Sequence, residues 1–255
     1  MRIAILGSGN IATFFGLQFK KNDHTIVQVI SSTCKHAEHL STLLDADFAT
    51  DSNQLTQDAD VYLFAVSDDV ILNFAKTITL PNKLIIHTAG SIQLNELASI
   101  SENSACIWPL YSIQKNNLPD SNTVPLIINA SNETCLQKVI QLANAISSNH
   151  FFLNEKQKSM AHLAAVFANN FTNHLYTLSE DLLHREQIPF ELILPLIEHT
   201  TQKLHQTPPH QNQTGPAIRH DEKTMQKHLM LLQKDKQMST IYKLLSNSIQ
   251  KKSIV

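Results

Sequence analysis

The residues best spaced for chemistry stand near the start of the chain. Gly7-Ser8-Gly9-Asn10-Ile11-Ala12 directly follows the apolar run Arg2–Leu6. The chemistry on offer is anion binding. A first glycine permits a tight turn, a second lets backbone approach a phosphate without a Cβ in the way, and a small third residue, here Ala12, lets helix and strand pack closely. The free N–H groups and dipole at the start of the next helix then favour a diphosphate. Glycine is scarce, five in 255 residues, so two at this spacing are expected to serve a purpose. Such a corner is where a Rossmann fold holds a dinucleotide.

The next question is which dinucleotide. In NAD-binding sites an Asp or Glu about 20 residues past the glycines takes the ribose hydroxyls. Here the second strand runs out as Ser31-Ser32-Thr33-Cys34-Lys35, with no carboxylate. Hydroxyls and a lysine donate to a 2′-phosphate that a carboxylate would repel, so Ser31, Ser32, Thr33 and Lys35 are expected to favour NADP(H). Ala65, Val66 and Ser67, ending another strand, are expected to flank the ribose and nicotinamide. With residues 7–12 they complete the expected coenzyme set.

Hydride transfer also needs a donor for the atom that gains charge. His87 closes an apolar strand and can act as acid or orient substrate. Thr88 and Gly90 follow it in a turn, and Ser91 is expected to open a helix. At 100° per residue, His162, Val166, Asn169 and Asn173 fall within about 60° of one another on one long helix. Amides and an imidazole there suit a polar cleft. Arg219, just past the rigid Gly215-Pro216, is placed to hold a substrate carboxylate through two parallel bonds, to reach across a dimer interface, or to pair with Asp221. Asp221 itself reads as a helix cap.

The elements that must position these groups fall into two halves. Strands are expected at Arg2–Leu6, Thr25–Ser31, Val61–Val66, Lys83–His87, Ala105–Trp108, Val124–Asn129 and Phe151–Leu153. Several are unbroken apolar runs, as in parallel strands buried on both faces. Past residue 153 the strands stop. Lys156–His184 reads as one long helix with a stripe of Met160, Leu163, Ala164, Phe167, Phe171, Leu175, Leu178 and Leu182 turned to a core. Further helices are expected around Phe190–Leu204, Asp221–Gln233 and Gln237–Gln250. The fold class is α/β: a Rossmann-type, doubly wound, mostly parallel sheet over residues 1–153, then an all-α domain over 154–255 for substrate binding and dimerisation.

Composition narrows the function. Apolar residues make up 42% and charged residues 16%, with a net charge of −2, which leaves no basic footprint for nucleic acid. No apolar run approaches the roughly 18 residues of a membrane span, and the start lacks the shape of a signal peptide. Three widely spaced cysteines, Cys34, Cys106 and Cys135, fit no disulfide or metal framework and suit a cytoplasmic protein. Thirteen histidines are scattered. Even His199, His205, His210 and His220 lack ligand spacing, so no metal is expected.

His87-Thr88-Ala89-Gly90-Ser91, Trp108-Pro109-Leu110-Tyr111-Ser112, Ala164-Ala165-Val166-Phe167-Ala168-Asn169-Asn170-Phe171 and Gln213-Thr214-Gly215-Pro216-Ala217-Ile218-Arg219-His220-Asp221 carry a resemblance running nearly end to end. Together they resemble the bacterial NADP oxidoreductases that join a Rossmann-like domain to a helical domain of unassigned function. More distantly the chain is similar to pyrroline-5-carboxylate reductase, ketopantoate reductase, β-hydroxyacid dehydrogenases and deazaflavin-dependent NADP oxidoreductases. The resemblance implies a nucleotide in the first domain, a small substrate in the cleft, and a homodimer formed through the helical domain. It also suggests Asn170 as the amide that polarises a carbonyl or imine. Two positions depart from the pattern. Ser32 stands near the usual arginine, and Val166 stands where β-hydroxyacid dehydrogenases place a catalytic lysine. The expectation is a cytoplasmic NADP(H)-dependent oxidoreductase acting on a C=O or C=N group. A catalytically silent NADP-binding sensor or scaffold, or a deazaflavin-dependent enzyme, is the alternative.

Overall fold

Consecutive residues of the first strand bury on opposite sides. Ile3 and Ile5 join one apolar cluster while Ala4 and Leu6 join another. That period of two, apolar on both faces, requires a sheet covered by helices on each side. The computed structural model describes residues 1–252 and shows such a sheet. Its strands are β1 (Arg2–Leu6), β2 (Thr25–Ile30), β3 (Asp47–Ala49), β4 (Val61–Phe64), β5 (Leu84–His87), β6 (Ser104–Pro109), β7 (Leu126–Ala130) and β8 (His150–Phe152). They lie in the order β3-β2-β1-β4-β5-β6-β7-β8. All pair in parallel except β6 with β7. The chain reverses its direction of travel across the sheet between β1 and β4, so a crevice opens at their carboxyl ends.

The first helices are α1 (Asn10–Lys21), α2 (Cys34–Leu44), α3 (Asp68–Thr77) and α4 (Glu133–Asn144). Phe14, Phe15 and Phe19 of α1, Leu40 and Leu44 of α2, and Val139 and Leu142 of α4 pack with Ile3 and Ile5. Ile71 of α3 packs on the other side with Ala4 and Leu6. The ends of β1 match the expectation, and those of the other expected strands differ from it by at most two residues. β3 was not foreseen, because Asp-Phe-Ala carries no β signature and the strand sits at the sheet's edge.

Two further corrections concern local structure. Ser91 opens no helix; a short 3₁₀ turn, Leu94–Leu97, begins later, capped reciprocally by Gln93 and Glu96. The expected single helix from residue 156 is α5 (Glu155–Ala165), a π turn (Val166–Phe171) and α6 (Thr172–Arg185). Bonding from i to i+5 winds fewer degrees per residue, so a uniform 100° step does not carry from His162 to Asn173. The apolar stripe is not turned to a core either. Met160 is 61% and Phe167 62% exposed, and Leu163, Phe171, Leu175 and Leu182 are exposed too. Periodicity records that a face avoids water; it does not name what covers it.

The chain forms two compact units, Met1–Ala168 and the residues from Asn169 onward. α5 belongs with the sheet, where Ala161 packs against Cys106, Trp108 and Ile127. In the second unit a 3₁₀ turn (Phe190–Ile193) leads into α7 (Leu194–Lys203), followed by α8 (Glu222–Leu231) and α9 (Lys236–Lys252). Asp221 caps α8, its Oδ1 accepting from Thr224 N at 3.1 Å. Arg185 of α6 pairs with Asp235 at 2.7 Å, and His228 of α8 meets Tyr242 Oη of α9 at 2.9 Å. Among the described residues no helix is long and apolar enough to cross a membrane.

Candidate functional site

β1 ends against a corner that only glycine can make. Gly7 has φ +119°, and a Cβ there would lie 2.2 Å from Ala65 O. Its N–H donates to Ile30 O at 2.7 Å, which ties the turn to β2. Gly9 differs. It has φ −82° at the N-cap of α1, and nothing lies within 4 Å of where its Cβ would be. Being glycine, it offers no side chain to the first N–H groups of α1, which therefore remain for a ligand. Ala12 is fully buried, as close packing of α1 on the sheet demands.

The corner opens on a cavity of about 710 Å³ in the crevice between β1 and β4. Gly7, Ser8, Gly9, Asn10 and Ile11 line one side, Ser31 and Ser32 another, and Ala65, Val66 and Ser67 a third. Ser8 Oγ donates to Ser31 Oγ at 2.7 Å, linking the first two walls. Asn10 Oδ1 accepts from Lys115 N at 3.1 Å. Of the remaining residues expected at the coenzyme, Ala12, Thr33 and Lys35 do not line the cavity. Thr33 is the N-cap of α2, its side chain making no capping bond, and Lys35 is exposed in the first turn of that helix.

Sequence reasoning missed several walls. Thr50 and Ser52 come from the segment after β3, and Val70 and Phe74 from α3. The shortness of β3 hid the first pair; the second pair could have been read from the apolar spacing of α3. Asp68 and Asp69 occupy the first turn of α3, behind the N-cap Ser67. Asp68 lines the cavity and accepts a hydrogen bond from Ser91 Oγ.

Thr88 and Ala89 close the cavity at the end of β5. The next residues lie behind it. Gly90 sits under the Trp108 ring and His162, where a Cβ would come 2.8 Å from the indole. Trp108 and His162 meet edge to face, 5.4 Å between centroids. His87 is fully buried. Its Nδ1 accepts from Ala89 N at 3.3 Å, and its Nε2 has no partner among the described residues. Burial, then the nearby Lys158 charge, push its pKa down to about 3, so the ring is neutral at ordinary pH and is no imidazolium donor. The second unit carries Asn169, Asn170, Asn173 and Arg219, all exposed. Asn169 and Asn170 lie on the π turn.

A mostly parallel sheet with a glycine corner at its switch point defines a dinucleotide-binding protein of the Rossmann class. A family described as NADP oxidoreductase, coenzyme F420-dependent, matches residues 2–90, and one described as a domain of unknown function, DUF2520, matches residues 124–249. The chain is similar over 98% of its length, and 98% of the other, to a candidate NADP oxidoreductase from Bacteroides fragilis, at 33% identity and a TM-score of 0.91. A Thermotoga maritima protein shares 22% identity over 99% of this chain and 100% of its own, with a TM-score of 0.82. An imine reductase from Myxococcus stipitatus in complex with NADP+ shares the fold, at 14% identity over 98% of this chain and 92% of its own, with a TM-score of 0.66. No curated protein matches. The chain belongs to the NADP oxidoreductase family. NADP(H) fits the site: glycine leaves open the helix start where a diphosphate would rest, and hydroxyls rather than carboxylates line the wall beyond β2.

Proposed function

We propose that this protein transfers hydride between NADP(H) and a small substrate carrying a C=O or C=N group. The observation that carries the reading is the single cavity shared by the glycine corner, the hydroxyls after β2 and the ends of β4 and β5. In it, the α1 N–H groups take the diphosphate, and Ser31 and Ser32, with Thr33 and Lys35 nearby, take the 2′-phosphate. Bound NADP(H) supplies the hydride. Ala65, Val66, Ser67 and Thr88 shape the nicotinamide end, and Gly90, Ser91 and His162 support it. We assign Asn170 to polarising the substrate, with Asn169 and Asn173 beside it in sequence, and Arg219 to a substrate carboxylate. His87 orients the turn at Ala89 rather than donating a proton. The fold shared with an imine reductase favours a C=N substrate.

The decisive experiment mixes purified protein and NADPH with a panel of cyclic imines, oxo acids and an oxidised deazaflavin. The deazaflavin is included because the family description names coenzyme F420. NADPH consumption with an imine or oxo acid is the expected result. Tight NADPH binding without turnover on the whole panel would overturn the enzymatic reading and leave an NADP-binding sensor; turnover with the deazaflavin alone would replace the substrate class. We further propose a homodimer formed through the helical unit. Leu192, Leu196, Met230, Leu231 and Leu244 are all at least 65% exposed, more apolar surface than a monomeric helical unit would leave in water. Sedimentation at micromolar concentration should find a dimer, and a monomer would refute it.

A further inference from the structure

Lys158 is fully buried, in a stretch (Asn154-Glu155-Lys156-Gln157-Lys158-Ser159) whose sequence reads as a solvated helix start. Its Nζ donates to Ile92 O and pairs with Glu155 Oε2 at 3.0 Å. Glu155 Oε1 in turn accepts from Leu94 N at 3.3 Å and from Asn129 Nδ2 at 2.9 Å. One turn of α5 therefore grips both ends of Ile92–Leu94. The rest of the segment from Thr88 is gripped as well. Thr88 Oγ1 donates to Phe64 O at 3.4 Å, Cys106 Sγ lies 3.9 Å from Ala89 O, Gly90 is held under Trp108 and His162, and Ser91 bonds Asp68. The first two residues of this segment, and Asp68, are walls of the coenzyme cavity.

Pairing a fully buried lysine with the half-buried Glu155 is a poor way to gain stability, because desolvation of the ammonium offsets the attraction and an apolar residue of similar volume does as well or better. What a buried lysine provides is direction: its ammonium must find acceptors, and here they are a loop carbonyl and the carboxylate that also holds the loop. We infer that Lys158 is a positioning residue that, through Ile92 and Glu155, fixes segment 88–94 as the wall of the coenzyme cavity at its nicotinamide end. The inference rests on the NADP(H) reading above. It predicts a split between the two halves of the coenzyme, since the glycine corner and the hydroxyls after β2 make no bond to this segment.

The test compares 2′,5′-ADP, which lacks the nicotinamide half, with NADPH in the full chain and in Lys158→Met. Affinity for 2′,5′-ADP should stay within about twofold, while NADPH binds about tenfold more weakly, a loss of ~1.4 kcal/mol. The rise in nicotinamide fluorescence on binding should shrink as well. Equal losses for both ligands, or none for either, would overturn the inference. Should Lys158→Met not fold, Glu155→Gln keeps the lysine but removes the charge facing it, and the same split is expected at smaller size; its absence would be equally fatal. Failure of the unaltered chain to take up 2′,5′-ADP would count against the coenzyme reading instead. The clamp is then judged by hydrogen exchange at amides 89–94, faster in Glu155→Gln if it is correct and unchanged if it is not.

Discussion

Gly9→Asp separates the fold from the site. Nothing lies within 4 Å of a Cβ at Gly9, and its φ of −82° suits any residue. The substitution therefore has no steric cost. Position 9 is the N-cap of α1, where aspartate accepts from the first N–H groups and complements the dipole, for a gain of a few tenths to about 1 kcal/mol. In a chain of this size that raises the melting temperature by up to roughly 2–4 °C. The same carboxylate occupies the N–H groups assigned to the diphosphate and sets a negative charge about 4 Å from it. At an effective dielectric of about 20 that repulsion is on the order of 4 kcal/mol, or about a thousandfold in affinity. Calorimetric titration with NADPH, beside a thermal melt, measures both. Affinity within about threefold of the unaltered chain, in a folded variant, would refute the assignment of this corner to the diphosphate. A variant that fails to fold would refute the steric reading of Gly9.

Gly7→Ala should do the reverse. A Cβ 2.2 Å from Ala65 O at φ +119° forces the backbone to move, at about 2–4 kcal/mol, so the melt should fall clearly; an unchanged melt would contradict the turn described. His87 gives a pH dependence. Its pKa is lowered to about 3 in the fold from an ordinary value near 6.5, so between those values the unfolded chain binds more protons and stability falls as pH falls. Denaturant melts should show the unaltered chain losing on the order of 2 kcal/mol more than His87→Gln between pH 7 and pH 5. Equal losses in both would show that His87 is not held neutral by burial.

Much of the site's first wall was legible because its chemistry is local. Tight turns and close backbone approach need glycine whatever surrounds them, so Gly7 and Gly9 could be read in place, with Ser31, Ser32 and Ala65–Ser67 following from the strands that carry them. His87 was legible as a strand end but not as a neutral, sealed ring. Its charge state depends first on the segments that bury it and then on Lys158, 71 positions away by numbering. The helical half was legible as helices and misread as packing, because Met160 and Phe167 recur with a helical period yet lie in the open. The π turn had no sequence mark at all.

Local order and periodicity belong to the sequence by itself: a glycine corner feeding α1, strands apolar on both faces, and the change from strands to helices past residue 153. Each follows from backbone sterics or from the period at which side chains meet water. Tertiary structure alone decided that Thr50, Ser52 and Phe74 share a cavity with Gly9, and that Lys158 lies inside while its neighbours Gln157 and Ser159 lie outside. Burial is set by what other segments place over a residue, and a lysine's own neighbours in the chain carry no record of the carbonyl it will meet.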